Sequence, residues 1–418
     1  MTHPNVVSVD TEALSFDPAV GVERDQVCWN GQAVALPPRP LDPTARPTPG
    51  AAAPAWLTQA QALLKSDQVV ALPTETVYGL AGHALAPRAV IRIFETKNRP
   101  MDNPLIVHVS SLAMLRALLP DGQLPTVYEP LIRQFWPGPL TILVPASPLI
   151  PSEVTCGQPT VAIRFPAHPV ARAVIAYSGL PLAAPSANSS GKPSPTLASH
   201  VWDDLRTRVP LILDAGQCHW GIESTVVDGL RTPPAILRPG GVTLEQIQTV
   251  PGFHNCQVYR KNFTDPALEL APTTPGMKYR HYSPAAQVIL LQPSYPSPQS
   301  TRDPDTTFTD AVLKLLPELP LNAPTKVGIL RLHPGAPTLP RSQLPSHLEI
   351  YYRAMADDTL PDASFESTSP RSKHLFRSFR EFDQLGVQSI IVEGASDLGE
   401  GLALMNRLHK AASRVVSY

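Results

Sequence analysis

Two α/β domains in tandem are predicted by this 418-residue sequence: a larger one over residues 56–260 with mixed strand directions, and a smaller doubly wound one over 286–418. Three observations carry the prediction. Short apolar runs of strand length alternate with segments of helical period from residue 57 onward. The C-terminal runs "AQVILL", "TKVGILRL" and "GVQSIIVEG" are near-continuously apolar, as buried parallel strands are. The 50 prolines cluster, in 35–56, 290–310 and 333–346, with denser regions between the clusters.

Taken in order, residues 1–55 read as a Pro-rich leader, extended and poorly packed over 35–56. "LTQAQALLKSDQ" (57–68) reads as a helix, "VVALP" (69–73) as a strand and "TETVYG" (74–79) as a polar turn. In "PRAVIRIFETK" (87–97), Val90, Ile93, Phe94 and Lys97 stand at i, i+3, i+4 and i+7, and Pro87 suits a first helical turn. Pro100 and Pro104 forbid helix beyond it, so Lys97 and Arg99 sit where an element has just ended. "LIVHV", "VAIRF", "LILDAG", "STVVDG" and "AILRPG" are strands, and the first domain closes near residue 260. A linker over 261–285 follows. In the second domain "SKHLFRSFREFDQLG" (372–386) and "EGLALMNRLHKAASRV" (400–415) read as the helices that cover its strands, and 290–310 and 333–346 as loops.

Composition excludes several function classes. The 34 basic and 35 acidic residues nearly cancel, which argues against a constitutive nucleic-acid or membrane-surface binder. No apolar run approaches the ~20 residues that span a bilayer. The N-terminus lacks the basic and apolar regions of a secretory signal, so a cytoplasmic location is expected. Cys28, Cys156, Cys218 and Cys256 form no C-x-x-C pair, and the 12 histidines show no metal-ligating spacing, so no protein-ligated metal is expected.

Several side chains could carry chemistry. In "VAIRF", Arg164 shares a strand face with Ala162, and pattern alone leaves a water-facing edge arginine and a guanidinium clamp for a carboxylate or phosphate equally open. His108 in "LIVHV" fits either a hydrogen-bonded core histidine or a site residue. "APSANSSGKPSPT" (184–196) is rich in hydroxyls, yet Ser186 stands where a Walker A loop needs its first glycine and Pro193 follows Lys192. No G-x-S-x-G nucleophile elbow occurs. Cations, hydroxyls and no evident nucleophile suit a reaction in which substrates attack one another.

"LPTETVYGLAGHA", "KNRPMDNPLIVHV", "FWPGPLTILVP", "VAIRFPAHP", "APSANSSGKPSPT", "GIESTVVDG" and "LRPGG" together resemble the YrdC-like domain of threonylcarbamoyl-AMP synthases. "PGMKYRHYSP" (275–284) and "EGLALMNRLHKAAS" are similar to the linker and second domain of that family's long, two-domain form. The resemblance implies a YrdC-like twisted mixed sheet with helices, followed by a small Rossmann-like domain. It also implies synthesis of L-threonylcarbamoyladenylate and pyrophosphate from L-threonine, bicarbonate and ATP with Mg²⁺ held through the ATP phosphates. The product would feed a tRNA threonylcarbamoyl transferase machinery that modifies adenosine beside the anticodon. The family's K-x-R and S-x-N motifs stand here as Lys97-Asn98-Arg99 and Ser186-Ala187-Asn188, with Lys97 and Arg99 expected to act on the triphosphate. By the same resemblance, Thr76, His108, Arg164, Ala184 and Ser224 would form the threonine side. Arg99, Asn103, Thr160, Ser186, Asn188, Ser194, Arg238 and Tyr279 would form the ATP side, with Tyr279 on a lid. The alternative is an RNA-binding YrdC-like module without synthase activity, against which the near-neutral charge counts. The leader lies outside the family pattern.

Overall fold

The computed structural model describes residues 5–16, 23–36, 50–277, 281–293, 304–319, 325–332, 339–340, 344–355 and 372–418. The chain divides into two compact units. The first comprises Met1–Ser190, Ser194–His219 and Glu223–Tyr279; the second comprises Gly191–Pro193, Trp220–Ile222 and Arg280–Tyr418.

An eleven-stranded mixed sheet is the spine of the first unit. Its spatial order is Asn5–Ser8, Leu211–Asp214, Val70–Leu72, Gly79–His83, Leu182–Ala183, Ile106–His108, Thr160–Arg164, Leu140–Pro145, Thr225–Asp228, Ala235–Arg238 and Gln257–Val258. Thr160–Arg164 is thus a central strand, parallel to Ile106–His108 on one side and antiparallel to Leu140–Pro145 on the other. This removes the water-facing alternative for Arg164: long-range pairing, invisible in a five-residue pattern, buries both of the strand's flanks. Register aligns Leu182 with His108, His108 with Arg164, Arg164 with Thr141, Thr141 with Val226, and Val226 with Arg238. Directly opposed residues share a sheet face, so His108, Arg164 and Thr141 project together. Two positions along that face, Ile106, Ala162 and Leu143 are buried with Val226, Ala235, Leu237, Tyr259 and Met277. One face therefore carries an apolar floor and, beside it, a polar row.

The expected leader is partly built into this unit. Asn5–Ser8 adds a parallel edge strand to Leu211–Asp214, and Leu14–Ser15, Cys28–Trp29 and Gln32–Ala33 form a small antiparallel sheet. Val27, Val34 and Leu36 are buried, Trp29 meets Trp56 edge-on with ring centroids 6.0 Å apart, and the Glu23 carbonyl accepts from the Ala113 N–H at 3.1 Å. Strands of two to four residues are too short to show a period, so proline content dominated the reading of this region. Residues 37–49 of the expected extended stretch lie outside the described residues.

The second unit holds a five-stranded, all-parallel sheet in the order Leu348–Ala354, Thr325–Arg331, Ser389–Glu393, Gln287–Gln292, Arg414–Ser417. Leu375–Leu385 and Glu400–Ala411 cover one face, packing Phe376, Phe379, Phe382, Leu404 and Leu408 on Val288, Leu290, Leu330 and Ile390. Pro304–Leu315 covers the other with Phe308, Val312 and Leu315. The doubly wound expectation holds. Three local readings are corrected. Pro304–Leu315 is a helix begun inside the segment read as loop, Leu348–Ala354 is an unforeseen strand, and the last helix stops at Ala411 to leave Arg414–Ser417 as a strand. Gly328 is required where it lies, since a Cβ there would come within 2.9 Å of the Phe382 ring. No helix among the described residues is long and apolar enough to cross a membrane.

Candidate active site

The turn that follows Val70–Leu72 is polar in sequence but buried in place: Thr74, Glu75 and Thr76 are all under 9% exposed. It faces the polar row of the sheet through Arg164, whose guanidinium is held on three sides. Nη2 donates to Glu75 Oε1 at 2.6 Å, Nη1 to Thr76 Oγ1 at 2.9 Å, and Nε to the Gly138 carbonyl at 3.2 Å. A guanidinium has five N–H donors, so two remain for a ligand among the described contacts. Burial alone would raise the Glu75 carboxyl, but the Arg164 charge and hydrogen bond hold it below its ordinary value, so the pair is ionised. His108, next to Arg164 in register, lies with Nδ1 3.3 Å from the Ile106 carbonyl oxygen. Burial, aided by the Arg164 charge, pushes it down to about 3, so it is a neutral imidazole at physiological pH. His168, whose backbone N–H reaches Glu75 Oε2 at 3.4 Å, is likewise pushed down to about 4 by burial.

Ser224 continues the row. Its Oγ lies 2.8 Å from Thr141 Oγ1, the residue opposed to Arg164, and its carbonyl accepts from Arg238 Nε at 3.1 Å and Nη2 at 3.0 Å. The turn after Ala235–Arg238 can lie against this segment only as glycine: a Cβ on Gly240 would meet the Glu223 carbonyl oxygen at 2.3 Å. Ala184 donates its N–H to the Ile106 carbonyl at 3.1 Å, on the same strand as His108. Thr76, His108, Arg164, Ala184, Ser224 and Arg238 are thereby brought together.

The second group forms around the end of the helix Pro87–Lys97. Asn98 caps it in the left-handed conformation, reversing the chain so that Lys97 stays buried, 2% exposed, and Arg99 emerges into the following loop. Lys97 Nζ donates to the carbonyls of Ser186 and Asn188, the latter at 2.7 Å, and lies 3.4 Å from Asn188 Oδ1. Its charge therefore reaches the S-x-N turn first, a placement that the expectation of a lysine facing the triphosphate did not include. Arg99 Nη2 donates to the carbonyls of Asn103 and Pro104, at 2.9 and 3.2 Å. The Asn103 Oδ1 and Thr160 Oγ1 atoms are both buried with no hydrogen-bond partner among the described residues. Buried polar atoms left open in this way can take hydrogen bonds from a ligand or from ordered water. Ser194 Oγ donates to Glu223 Oε1 at 2.5 Å, and Ser186 forms an antiparallel bridge with Gly79. Tyr279 lies outside the described residues.

Thr74, Glu75, Thr141 and Glu223 were missed as site residues. A carboxylate between two threonines after an apolar strand reads as a solvated turn, and the only signal against that reading was how closely apolar residues flank it on both sides. Among the described residues no group of three or more His, Cys, Asp and Glu side chains is placed to hold a metal ion.

Comparison with known proteins matches the chain to one family. Residues 62–240 match the Sua5/YciO/YrdC family model, described as "Telomere recombination", and residues 242–413 match the model of the threonylcarbamoyl-AMP synthase C-terminal domain. The chain is 45% identical to the threonylcarbamoyl-AMP synthase of Schizosaccharomyces pombe over 85% of its own length and 88% of that protein. It is 40% identical to that of Pyrococcus abyssi over 84% and 93%. The crystal structure of P. abyssi Sua5 complexed with L-threonine superposes with a TM-score of 0.71 at 37% identity, covering 87% of this chain and 96% of that one. With both domain models matched in order and relatives covered almost end to end, the chain belongs to the threonylcarbamoyl-AMP synthase family, in its long, two-domain form.

Proposed function

We propose that this chain condenses L-threonine, bicarbonate and ATP into L-threonylcarbamoyladenylate and pyrophosphate through the residues described above. The observation that carries the reading is Arg164: a buried guanidinium fixed by Glu75, Thr76 and Gly138, with two N–H donors in reserve. Two donors on one planar group suit a carboxylate in a bidentate fork. The P. abyssi relative was solved with L-threonine, which is in keeping with such a role.

Threonine held there presents its amine for carboxylation by bicarbonate, with loss of water. A carbamate oxygen then attacks the α-phosphorus; the new O–P bond forms as the bond to the β-phosphate bridge breaks, and pyrophosphate leaves. No side chain need act as nucleophile, so alignment and charge stabilisation supply the acceleration. Arg99, Asn103, Thr160, Ser186, Asn188, Ser194, Arg238 and, by resemblance, Tyr279 would hold ATP. Lys97 would act on the phosphates through the S-x-N turn that it fixes. The donor set, cations and hydroxyls without a carboxylate cluster, fits Mg²⁺ carried by the ATP phosphates, where it would neutralise charge on the leaving group. The product would then pass to a tRNA-modifying transferase.

Pyrophosphate release by the purified chain, with each substrate omitted in turn, tests the reading. Release should require L-threonine, bicarbonate, ATP and Mg²⁺ together; equal release without threonine rejects it.

A further inference from the structure

Hydroxyl groups can donate or accept, but in the buried turn 74–77 the directions are fixed by neighbouring groups. Thr74 Oγ1 lies 2.7 Å from the Val77 carbonyl oxygen, and a carbonyl cannot donate, so the Thr74 proton must lie on that line. Thr74 Oγ1 is also 2.8 Å from Thr76 Oγ1. With its own proton engaged, Thr74 can only accept there, so the Thr76 proton points to Thr74. Two longer contacts, from the Thr76 and Val77 N–H groups at 3.2 Å, share the remaining lone pair of Thr74 Oγ1 and hold its acceptor face inward. On the other side Thr76 Oγ1 accepts from Arg164 Nη1 at 2.9 Å. With its proton and one lone pair committed, Thr76 has one acceptor position left and no donor. All of these residues are buried, Thr76 at 0% exposure, so water does not scramble the order.

We infer that Thr74 is a positioning residue that sets Thr76 Oγ1 as an obligate hydrogen-bond acceptor for the substrate amine, and so helps select an α-amino acid over the corresponding hydroxy acid lacking nitrogen. The inference rests on the reading of this site as the L-threonine site. An amine N–H satisfies the open lone pair of Thr76, whereas a ligand with C–H at that position leaves it unpaired in a buried setting. Removing the Thr74 hydroxyl frees the Thr76 proton, which can then turn toward the amine and oppose it.

Calorimetric titration of the full chain with L-threonine and with (R)-β-hydroxybutyrate, its des-amino analogue, tests this on Thr74→Val and Thr74→Ser. Thr74→Val should weaken L-threonine about tenfold, the size of one hydrogen bond changed from favourable to opposed. It should leave β-hydroxybutyrate and ATP within about twofold, and Thr74→Ser should restore L-threonine to within the same margin. The inference is overturned if Thr74→Val binds L-threonine as the unsubstituted chain does. It is equally overturned if L-threonine, β-hydroxybutyrate and ATP all weaken together, which is the mark of a merely structural threonine. Failure of the unsubstituted chain to bind L-threonine would instead remove the parent reading, and this one with it.

Discussion

Arg164 and Glu75 form a buried ion pair, Nη2 to Oε1 at 2.6 Å, with the two side chains 4% and 9% exposed. Removing one partner of such a pair leaves an uncompensated charge and costs ~3–5 kcal/mol, far more than a surface pair. Arg164→Ala should therefore lower both the melting temperature and L-threonine affinity. Glu75→Gln keeps an acceptor for the guanidinium and should lose less stability. The Glu75 carboxyl sits below its ordinary 4.5, so its contribution is full above that value and is lost as pH falls through the folded-state value. Melting temperature against pH should accordingly show a steeper acid limb below about 4.5 in the unsubstituted chain than in Glu75→Gln. Identical limbs would mean that the pair is not ionised.

His108 predicts a second pH dependence beginning nearer neutrality. Its pKa is depressed from 6.5 to about 3, so between those values the unfolded chain binds a proton that the native chain refuses. Stability then rises with pH across that window and levels off above it. His168, pushed down to about 4, acts with the same sign. His108→Asn should flatten the slope between about pH 6 and 5, and a further His168→Gln should flatten it again, leaving the part that His83 and His409, also lowered by burial, contribute with the same sign. Denaturant unfolding at stepped pH measures this, and an unchanged slope in the double variant would show that neither imidazole is held neutral.

Lys97 separates charge from geometry. Its ammonium sends bonds in different directions, to the Ser186 and Asn188 carbonyls, which a planar guanidinium does not reproduce. Lys97→Ala should cut turnover at least about tenfold while L-threonine affinity moves less than about threefold, because the S-x-N turn lies on the ATP side of the proposed site. Lys97→Arg should fail to restore turnover despite keeping the charge. Full rescue by arginine would point to a direct charge effect on phosphate instead.

How far the sequence reached depended on whether a feature is local. The helix Pro87–Lys97 emerged at its observed bounds because Pro87, the apolar spacing and Pro100 all lie within its own stretch. Arg164 could not be decided from "VAIRF", since its burial comes from the strands Ile106–His108 and Leu140–Pro145, each separated from it in sequence. Family resemblance supplied the residues that meet along the His108–Arg164–Arg238 row, but not what holds them. Glu75 and Thr141 support the row through side-chain bonds across sequence gaps that carry no period, and Thr74 does so through its neighbour Thr76, which reaches Arg164 across a similar gap. Strands as short as Asn5–Ser8 and Arg414–Ser417 are defined by the edge they join, and that edge is formed by distant chain.

The bond from Arg238 to Ser224 predicts how the two substrates influence each other. Arg238 belongs to the proposed ATP side and Ser224 to the threonine side, yet Nε and Nη2 of Arg238 both end on the Ser224 carbonyl, and Nη2 also lies 3.2 Å from Ser224 Oγ. Ser224 Oγ in turn meets Thr141 Oγ1, next to Arg164 in register. A ligand that draws on the Arg238 charge thus acts on a group that borders the other ligand. Linkage requires the factor by which threonine changes ATP affinity to equal the factor by which ATP changes threonine affinity. Arg238→Lys keeps the charge but cannot form the two-pronged bond, so it should weaken a non-hydrolysable ATP analogue and also bring both coupling factors toward one, by the same amount. Ser224→Ala keeps the carbonyl and loses only the hydroxyl contacts, so it should reduce the coupling less. Titrating each ligand in the presence and absence of the other, for the unsubstituted chain and both variants, gives all the factors. Weaker ATP-analogue binding in Arg238→Lys with coupling intact would show that the Arg238–Ser224 bond fixes the nucleotide alone and that the coupling runs through another part of the site.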